Sequence, residues 1–341
     1  MANIRNVSDL AKARSPATNT LTEVIENHNS PTKGSNHQGD EQTPLMEAVE
    51  LGDHDAVAEL LKTAVDLEAE AFGETALTLA SDRDMVLMLL RAGADITRIS
   101  SEGRRALVGL KPESDPSLLA HISPAQFREG RKRRFGTRNP ESQDILFWNA
   151  MIQAGITSYS AAQFFKDLVE RGGEPVWCAE RYGQSFTQLP DGRTIQIGGE
   201  HEDYYDQDFC IYNDVFVHQV DGAVQVYGYP EDVFPPTDFH TATLLGSYIY
   251  IIGSLGYGGS RRYGKTPVYR LDTQSFHIKE TETTGEAPGW ISHHKATTLS
   301  DHEISISGGM VVREGGLQER SVEQTGQFVL DTQRLCWTRM S

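Results

Sequence analysis

Apolar residues change their spacing about halfway along this chain of 341 residues. Between residues 43 and 173 they recur every three or four positions, as in TPLMEAVELGDHDAVAELL and DILFWNAMIQAG, and this spacing predicts amphipathic helices. From about residue 174 they form short runs separated by glycines and polar turns, which is typical of β-strands. Residues 1–40 have little apolar periodicity, so we predict a disordered tail there.

The first helical stretch repeats itself. TPLMEA begins at Thr43 and the similar ETALTLA places Thr75 32 residues later. A helix with two adjacent leucines follows each motif, at Leu60–Leu61 and at Leu89–Leu90. A threonine at the start of a helix can accept a hydrogen bond from a free backbone N–H, so each threonine is predicted to cap a helix.

These motifs resemble the ankyrin repeat, with its T-P-L-H-x-A start and its later V-x-x-L-L and G-A-D segments. Pro44 suits the first position of a helix, where no backbone donor is needed. Met46 replaces the usual histidine and Ala76 replaces the usual proline. The resemblance implies a short array of about two and a half ankyrin repeats over residues 41–120, which needs a cap or a neighbouring domain for stability.

The strand-rich half repeats with a longer period. Gly198, Gly253 and Gly308 are spaced by 55 residues, and each ends a predicted strand. The units resemble the kelch repeat, a four-stranded blade of a β-propeller in which two glycines end the second strand. The resemblance covers residues 174–341 and implies a kelch-like propeller with three legible blades. Similar ankyrin–kelch combinations occur in bacterial proteins of unassigned role.

Three blades are too few to close a propeller ring, and open sheet edges invite association. A degenerate fourth blade within residues 140–180, helices covering the open edges, or a ring closed by two chains would each resolve this. The helical spacing over residues 121–173 favours covering helices. We therefore expect an α + β multidomain protein with a basic linker and helices at 121–173, and a homo-oligomer if the propeller is incomplete.

Charge and composition narrow the class of protein. The formal net charge is −17, which disfavours nucleic acid and anionic lipid as partners and favours a protein with a basic surface. No apolar run approaches the roughly 20 residues that span a bilayer, so no membrane association is expected. With three widely spaced cysteines and no secretory signal, we expect a cytoplasmic protein.

One basic run stands out against this charge, at residues 131–134 (RKRR). It can be interpreted as a nuclear-localisation or nucleic-acid patch. It can also be interpreted as a linker whose cations pair with an acidic body, and the negative net charge favours that second interpretation.

The loop between the second and third strands of each kelch blade leaves from one face, so three long loops are expected to share a face. The first, EHEDYYDQDFCIYN, is strongly acidic, and the second, LGYGGSRRYGKT, is basic. Loops on a rigid scaffold commonly carry binding residues. The candidate partner-binding residues are His201, Glu202, Asp203, Tyr204, Tyr205, Asp206, Asp208, Arg261, Arg262 and Lys265.

Other interpretations of the acidic loop remain open. Its carboxylates could bind calcium or magnesium, although the spacing lacks the rhythm of an EF-hand. They could include a catalytic acid pair, but no nucleophile, zinc or phosphate-binding motif accompanies them, and no cofactor is predicted. They could also be structural, with Asp203 or Asp206 paired with Arg261 or Arg262 of the next blade.

Ankyrin and kelch families mostly bind other proteins, so the resemblance implies a non-enzymatic adaptor or scaffold. Such an adaptor would hold its partner through the loop face, the ankyrin segment or both. The alternative is a metal-dependent or hydrolytic enzyme that uses the acidic loop around His201 and Asp203.

Overall fold

The computed structural model describes residues 41–167, 175–202, 209–315 and 319–340. From Thr43 onward the chain forms one unit, in which helices come first and antiparallel sheets follow. The helices of the described ranges are α1 (Pro44–Glu50), α2 (His54–Leu60), α3 (Ala76–Leu79), α4 (Arg83–Ala92), α5 (Ser101–Leu107), α6 (Pro124–Gly130), α7 (Leu146–Ala154) and α8 (Ser158–Phe164). Short 3-10 turns lie at Ile96–Arg98, Pro116–Leu119 and Gly258–Ser260.

Helices α1 to α5 form the ankyrin-like segment. The predicted caps are confirmed, because Thr43 Oγ1 accepts a hydrogen bond from the Met46 N–H at 3.2 Å and Thr75 caps α3. Leu89 is fully buried and Leu60 packs at the edge of the same apolar core, as the repeat pattern predicts. Stacking of neighbouring helix pairs therefore buries a continuous core, which is how repeat arrays gain stability.

The strand-rich half contains three main sheets. Sheet I consists of β1 (Glu141–Ser142), β2 (Ser185–Gln188), β3 (Thr194–Ile197), β6 (Val215–His218) and β7 (Val224–Gly228). Sheet II consists of β8 (Thr241–Leu245), β9 (Tyr248–Ile252), β10 (Val268–Asp272) and β11 (Ile278–Glu280). Sheet III consists of β12 (Thr284–Gly285), β14 (Lys295–Thr298), β15 (Glu303–Ser307), β18 (Gln327–Asp331) and β19 (Cys336–Met340).

Each sheet contains one 55-residue unit as a four-stranded antiparallel meander. Smaller hairpins project from sheets I and III: β4 (Glu200–Glu202) pairs with β5 (Phe209–Ile211), and β16 (Met310–Arg313) pairs with β13 (Trp290–Ser292) and β17 (Arg320–Glu323). Across the described residues, the strands do not close into a ring. Residues 140–167 form β1, α7 and α8, so that described stretch is not a fourth four-stranded sheet.

The same contacts join sheet I to sheet II and sheet II to sheet III. The hydroxyl of Ser185 lies 2.8 Å from Nε2 of His240, and the hydroxyl of Thr241 lies 2.9 Å from Nε2 of His294. At the other side of each junction, the backbone N–H of Gly199 donates to the Thr237 carbonyl at 2.8 Å, and that of Ser254 donates to the Ile291 carbonyl at 2.9 Å. The 55-residue period is therefore a period of sheet-to-sheet contacts.

The glycines at the end of the second strand are explained by these junctions. Gly198 and Gly253 have positive φ angles of 60° and 79°. A Cβ atom at Gly198 would lie 2.3 Å from the carbonyl oxygen of Thr237, and one at Gly253 would lie 2.4 Å from that of Ile291. At Gly308, in the last unit, a Cβ atom would meet nothing within 4 Å. The close approach is made by the sheet that follows, and among the described residues no sheet follows sheet III.

The face of sheet III that points away from sheet II carries polar side chains at several positions, together with Val329. In sheet II, Tyr250, Ile252 and Val268 pack against the apolar residues of sheet III. The residues in the same register of sheet III are Ser305, Ser307 and Gln327, and Gln327 donates a hydrogen bond to Ser305 at 2.8 Å. Terminal units of repeat arrays commonly carry such a polar outer face. Sheet III therefore ends the series, and we expect the chain to be a monomer.

Restoring the apolar pattern should make the chain self-associate. The double variant Ser307→Ile, Gln327→Val places apolar residues of the kind that sheet II turns toward sheet III at two exposed positions of sheet III. Light scattering after size exclusion should show a monomer for the wild type and larger species for the variant at micromolar concentrations. A wild-type dimer under these conditions would contradict the assignment of sheet III as a terminal sheet.

Segments distant in sequence cover the outer edges of all three sheets. Strand β1 pairs with β7 of sheet I, and β12 pairs in parallel with β19 of sheet III. On sheet II, the side chain of Asn139 bonds both backbone groups of Ile278, accepting at 3.0 Å and donating at 2.7 Å. Covered edges offer no template for another strand.

A helix packs against sheet I, and the ankyrin-like segment contacts sheets I and III. Helix α7 packs on sheet I, where Trp148 stacks on Trp177 at 4.6 Å in a core that includes Phe216 of β6. The ankyrin-like segment contacts the inner strands of sheets I and III. Phe186 of β2 packs against its core, and Lys295 of β14 forms an ion pair with Asp95 at 2.7 Å.

Candidate functional site

Three loops follow the second strands of the three sheets, as the repeat predicts: loop A (198–214), loop B (253–267) and loop C (308–326). The hydroxyl of Tyr257 in loop B accepts a hydrogen bond from the backbone N–H of Ile211 in loop A at 2.8 Å. Arg261 and Tyr263 of loop B both bond Glu319 of loop C. The described parts of the three loops therefore form one contiguous surface, which we call the loop face.

Only some of the predicted loop residues lie in the part of the chain that the structure describes. Asp203, Tyr204, Tyr205, Asp206 and Asp208 lie outside the described residues, so their predicted roles stay predictions. Glu202 lies in β4. Arg261 forms an ion pair with Glu319, Arg262 forms one with Glu280 at 2.6 Å, and Lys265 is exposed. The arginines of loop B therefore have partners in loop C and in sheet II.

His201 is 7% exposed and lies beneath the loop face. Its Nε2 lies 2.9 Å from the hydroxyl of Ser158 at the start of α8, and its Nδ1 lies 3.4 Å from the thiol of Cys178. Burial raises the pKa of Cys178 to about 12, so this thiol stays protonated at neutral pH. The arrangement holds α8 and the Cys178 segment to β4, and both ring nitrogens face side chains of the protein.

A fully buried ion pair lies next to this histidine. Arg181 Nη2 donates to Asp214 Oδ2 at 3.0 Å, and Nη1 bonds the other carboxylate oxygen. The guanidinium also donates to the Gly198 carbonyl at 3.1 Å and lies 3.4 Å from the ring centre of Tyr212. Trp177 Nε1 donates to Asp214 at 3.2 Å. All of these contacts lie inside the protein, so the ion pair holds the two ends of loop A, at Gly198 and Asp214, in place.

The carboxyl groups of Glu200 and Asp238 are in hydrogen-bond contact near the junction of loops A and B. Asp238 has no exposed surface and accepts hydrogen bonds from the backbone N–H of Gly256 at 2.6 Å and from the hydroxyl of Ser254 at 3.2 Å. Burial raises the pKa of Asp238, whereas hydrogen bonds from Gly256 and from the Glu200 side chain oppose the rise. Two carboxyls in hydrogen-bond contact share a proton, because both cannot be charged at such a distance.

Replacing Asp238→Asn should change the pH dependence of stability. A carboxyl whose folded pKa is raised stabilises the fold at low pH, and that contribution is lost as the pH rises through the folded pKa. The amide keeps an acceptor for Gly256 but does not titrate. The urea midpoint of the variant relative to wild type should therefore rise as the pH increases above the ordinary aspartate pKa of about 4. A constant difference would show that Asp238 is not the titrating group, and Asp232→Asn, at an exposed position, is the control.

The basic run at 131–134 binds the body of the protein. Arg131 forms an ion pair with Asp167, next to α8. Arg133 Nη1 donates to the hydroxyl of Tyr257 at 3.1 Å and also bonds the carbonyl of Ile211. These two arginines therefore agree with the second interpretation of the run, in which its cations pair with the body of the protein. Arg133 also links loop A to loop B.

The exposed surface of the ankyrin-like segment differs from the loop face in its acidic charge and in one exposed aromatic side chain. Residues 43–100 contain twelve Asp and Glu against four Lys and Arg. Phe72 projects from the turn between Ala71 and Glu74, which bond each other through both backbone groups, and its side chain is 73% exposed. Its φ angle of +56° is rare for an aromatic residue. Sequence reasoning did not select Phe72, although the Phe-Gly pair at a repeat boundary could have indicated a turn.

Two other kinds of site are absent from the described residues. Histidine, cysteine, aspartate and glutamate side chains do not group in threes where they could hold a metal ion. None of the described helices is long and apolar enough to cross a membrane.

Comparison with known proteins supports the helical part of the assignment. A family model described as ankyrin repeats, in three copies, matches residues 11–100. The match starts within the segment predicted as a tail and ends before the predicted boundary at residue 120. Curated proteins gave no match to the chain. The chain therefore carries ankyrin repeats in its first third, followed by a strand-rich region of antiparallel sheets.

Proposed function

We propose that this protein is a non-enzymatic cytoplasmic adaptor that holds a protein partner through its ankyrin segment, its loop face or both. We further propose that sheets I to III are the blades of an open, kelch-like propeller. The repeated hydrogen bonds between successive sheets and the glycines that permit them support the second proposal. Ankyrin repeats are in general protein-interaction modules, and their match supports the first.

The observation that carries the interaction proposal is Phe72. Phe72 and Gly73 have φ angles of +56° and +82°, as in a type I′ turn, for which Asn-Gly is the favoured pair. A phenylalanine at this position is strained and leaves its ring in water. Stability gains nothing from either feature, and strained residues cluster at functional sites. An exposed aromatic side chain next to Glu74, in a segment where carboxylates outnumber cations, suits an apolar pocket with a basic rim.

Replacing Phe72→Asn separates function from stability. The variant creates the preferred Asn-Gly turn, so its free energy of unfolding should rise by about 0.5–1 kcal/mol. Its capture of the partner from native lysate should fall strongly. Phe276→Asn is the matched control, because Phe276 also has a positive φ but is 6% exposed and stacks on Tyr227. That variant should lose stability by about 3–5 kcal/mol.

A second pair of variants tests the loop face. Arg262→Ala and Lys265→Ala remove exposed cations of loop B without disturbing the Arg261–Glu319 contact. Partner capture that depends on Lys265 and not on Phe72 would place the interaction on the loop face alone. Capture that no variant on either surface reduces would contradict the proposal.

The enzyme alternative centred on His201 and Asp203 has less support. The ring nitrogens of His201 face Ser158 and Cys178, so neither is directed toward an incoming metal or substrate. The buried carboxyls of Glu200 and Asp238 are held by backbone and side-chain contacts within the protein.

A further inference from the structure

The small sheet of loop C has one uncovered edge within the described part of the chain. Strand β17 pairs with β16 alone, whereas other segments of the chain cover the outer edges of sheets I to III. Three of the four residues of β17 are exposed, and Val322 is half-buried and packs against the core between sheets II and III. An uncovered edge strand is a template for a further strand, and some proteins bind extended peptides in this way.

The register of β17 shows which of its backbone groups are directed outward. The N–H of Gln324 donates to the carbonyl of Gly309 at 2.8 Å, so these two residues form a hydrogen-bonded pair at the end of the ladder. Such pairs recur at every second residue of an antiparallel ladder. The backbone groups of Val322 therefore point toward β16, and those of Ser321 and Glu323 point outward.

The pairing of β13 with β16 gives the same register. The carbonyl of Ile291 in β13 accepts a hydrogen bond from the N–H of Ser254 at 2.9 Å, so the backbone groups of Ile291 point away from β16. Val311, opposite Ile291, must then bond β17. Among the described residues, the outward N–H and carbonyl groups of Ser321 and Glu323 make no hydrogen bond. The edge therefore presents two donors and two acceptors at the spacing of a strand ladder.

Both ends of this edge are held in position. Glu319, directly before β17, is bound by the side chains of Arg261 and Tyr263 from loop B. The hydrogen bond between Gln324 and Gly309 holds the other end. The sequence of β17 contains neither proline nor lysine, which commonly protect exposed edges. The edge is therefore preorganised, and little further ordering of the protein is needed when a strand adds to it.

The side chains of β17 define the sequence that complements them. Directly opposite residues of antiparallel strands are stabilised by opposite charges, by apolar contacts and by hydroxyl pairs. An added antiparallel strand matches this edge with a cation opposite Glu323 and an apolar residue opposite Val322. A hydroxyl residue opposite Ser321 and an anion opposite Arg320 complete the match. In its own direction, such a segment reads Lys-Val-Thr-Glu.

We infer that β17 binds an extended segment of a partner protein by strand addition, and that this segment carries a basic, an apolar, a hydroxyl and an acidic residue in that order. The inference names the kind of partner for the loop face, to which loop C belongs, and so it rests on the proposed function. The backbone groups supply the affinity, and the charges at the two ends of β17 fix the register and the direction.

Methylation of peptide nitrogens tests this register. The probe is the capped peptide Thr-Lys-Val-Thr-Glu-Thr, added to the full-length protein labelled with ²H and ¹⁵N. The amide resonances of Ser321 and Glu323 should shift to saturation, with Kd in the ~1–10 mM range. Methylating the nitrogens of lysine and of the threonine after valine removes both donors toward β17 and should weaken binding about tenfold or more. Methylating the valine nitrogen, which points away from β17, should leave Kd nearly unchanged.

Two variants provide matched controls on the protein side. Ser321→Pro removes an outward N–H that the ladder with β16 does not use, so the urea midpoint should stay near the wild-type value while peptide binding is lost. Glu323→Lys should weaken binding of the probe, and a peptide with glutamate in place of lysine should restore it.

Three results would contradict strand addition at β17. The first is a doubly methylated peptide that binds as well as the parent, and the second is a parent peptide that shifts no resonance of β17 at about 10 mM. The third is a shift at Ser321 that depends on protein concentration without peptide, which would assign the edge to a second copy of the chain.

Capture of the partner from native lysate reports on the proposed function separately. Capture that Phe72→Asn reduces and Ser321→Pro does not would contradict strand addition and leave the adaptor proposal standing. Capture that Ser321→Pro reduces would support both.

Discussion

Acidification from about pH 7 to about pH 5 is expected to lower the free energy of unfolding by about 6 kcal/mol. Burial lowers the pKa values of His218, His240 and His294 to about 3, with a further contribution to His240 from His294 and to His294 from His293. A histidine in the unfolded chain has a pKa near 6.5. Each of the three residues therefore favours the unfolded state by about 2 kcal/mol at pH 5.

The sign follows from the direction of the shift. Because the folded pKa is depressed, the stability is fully present above the unfolded pKa and is lost as the pH falls from about 6.5 toward 3. A domain of ordinary stability has only about 5–15 kcal/mol available, so much of the population should unfold in this window. The Asp238 carboxyl acts in the opposite direction, because its pKa is raised.

Urea midpoints measured across the pH range test this expectation. His240→Gln keeps a hydrogen-bonding group near Ser185 and should remove about a third of the loss between pH 7 and pH 5. His121→Gln is the control, because His121 is exposed and should leave the profile unchanged. An identical loss in wild type and His240→Gln would mean that the buried histidines are not the cause.

The second large effect concerns the buried ion pair. Arg181→Met should destabilise the protein by about 3–5 kcal/mol, because it leaves the Asp214 carboxylate buried without its counter-charge. Arg262→Met breaks an ion pair whose side chains are 47% and 45% exposed, and it should change the free energy of unfolding by about 0–1 kcal/mol.

The double variant Arg181→Met, Asp214→Leu separates charge from packing. Replacing a buried pair by apolar residues of similar volume is often neutral, so the double variant should recover much of the loss caused by Arg181→Met. If it recovers nothing, the contribution of Arg181 comes from its contacts with Tyr212 and Gly198 rather than from Asp214.

Local features of this fold could be predicted from the sequence. The caps at Thr43 and Thr75 depend on residues within one helical turn, and the glycines at 198 and 253 depend on a period that is visible by alignment of the chain with itself. The same alignment shows serines where sheet II has Tyr250 and Ile252, so the terminal character of sheet III could also have been predicted.

Long-range pairings could not be predicted in the same way. Arg181 pairs with Asp214, 33 residues away, and Asn139 pairs with Ile278, 139 residues away. No local sequence pattern relates the two members of either pair. For the same reason His201 was expected on an exposed loop, whereas the extension of loop A into β4 places it against Ser158 and Cys178.

The coverage of the outer sheet edges has a consequence for how this chain can be divided. A cut at the predicted boundary between residues 173 and 174 would separate sheet I from β1 and sheet II from Asn139. The fragment 174–341 would retain its 55-residue units but would carry two uncovered edge strands, which favour edge-to-edge association. The boundary seen in the sequence is therefore not a boundary between independently folding parts. A fragment or a recombinant protein that contains the strand-rich half should retain residues 139–142, which cover the edges of sheets I and II.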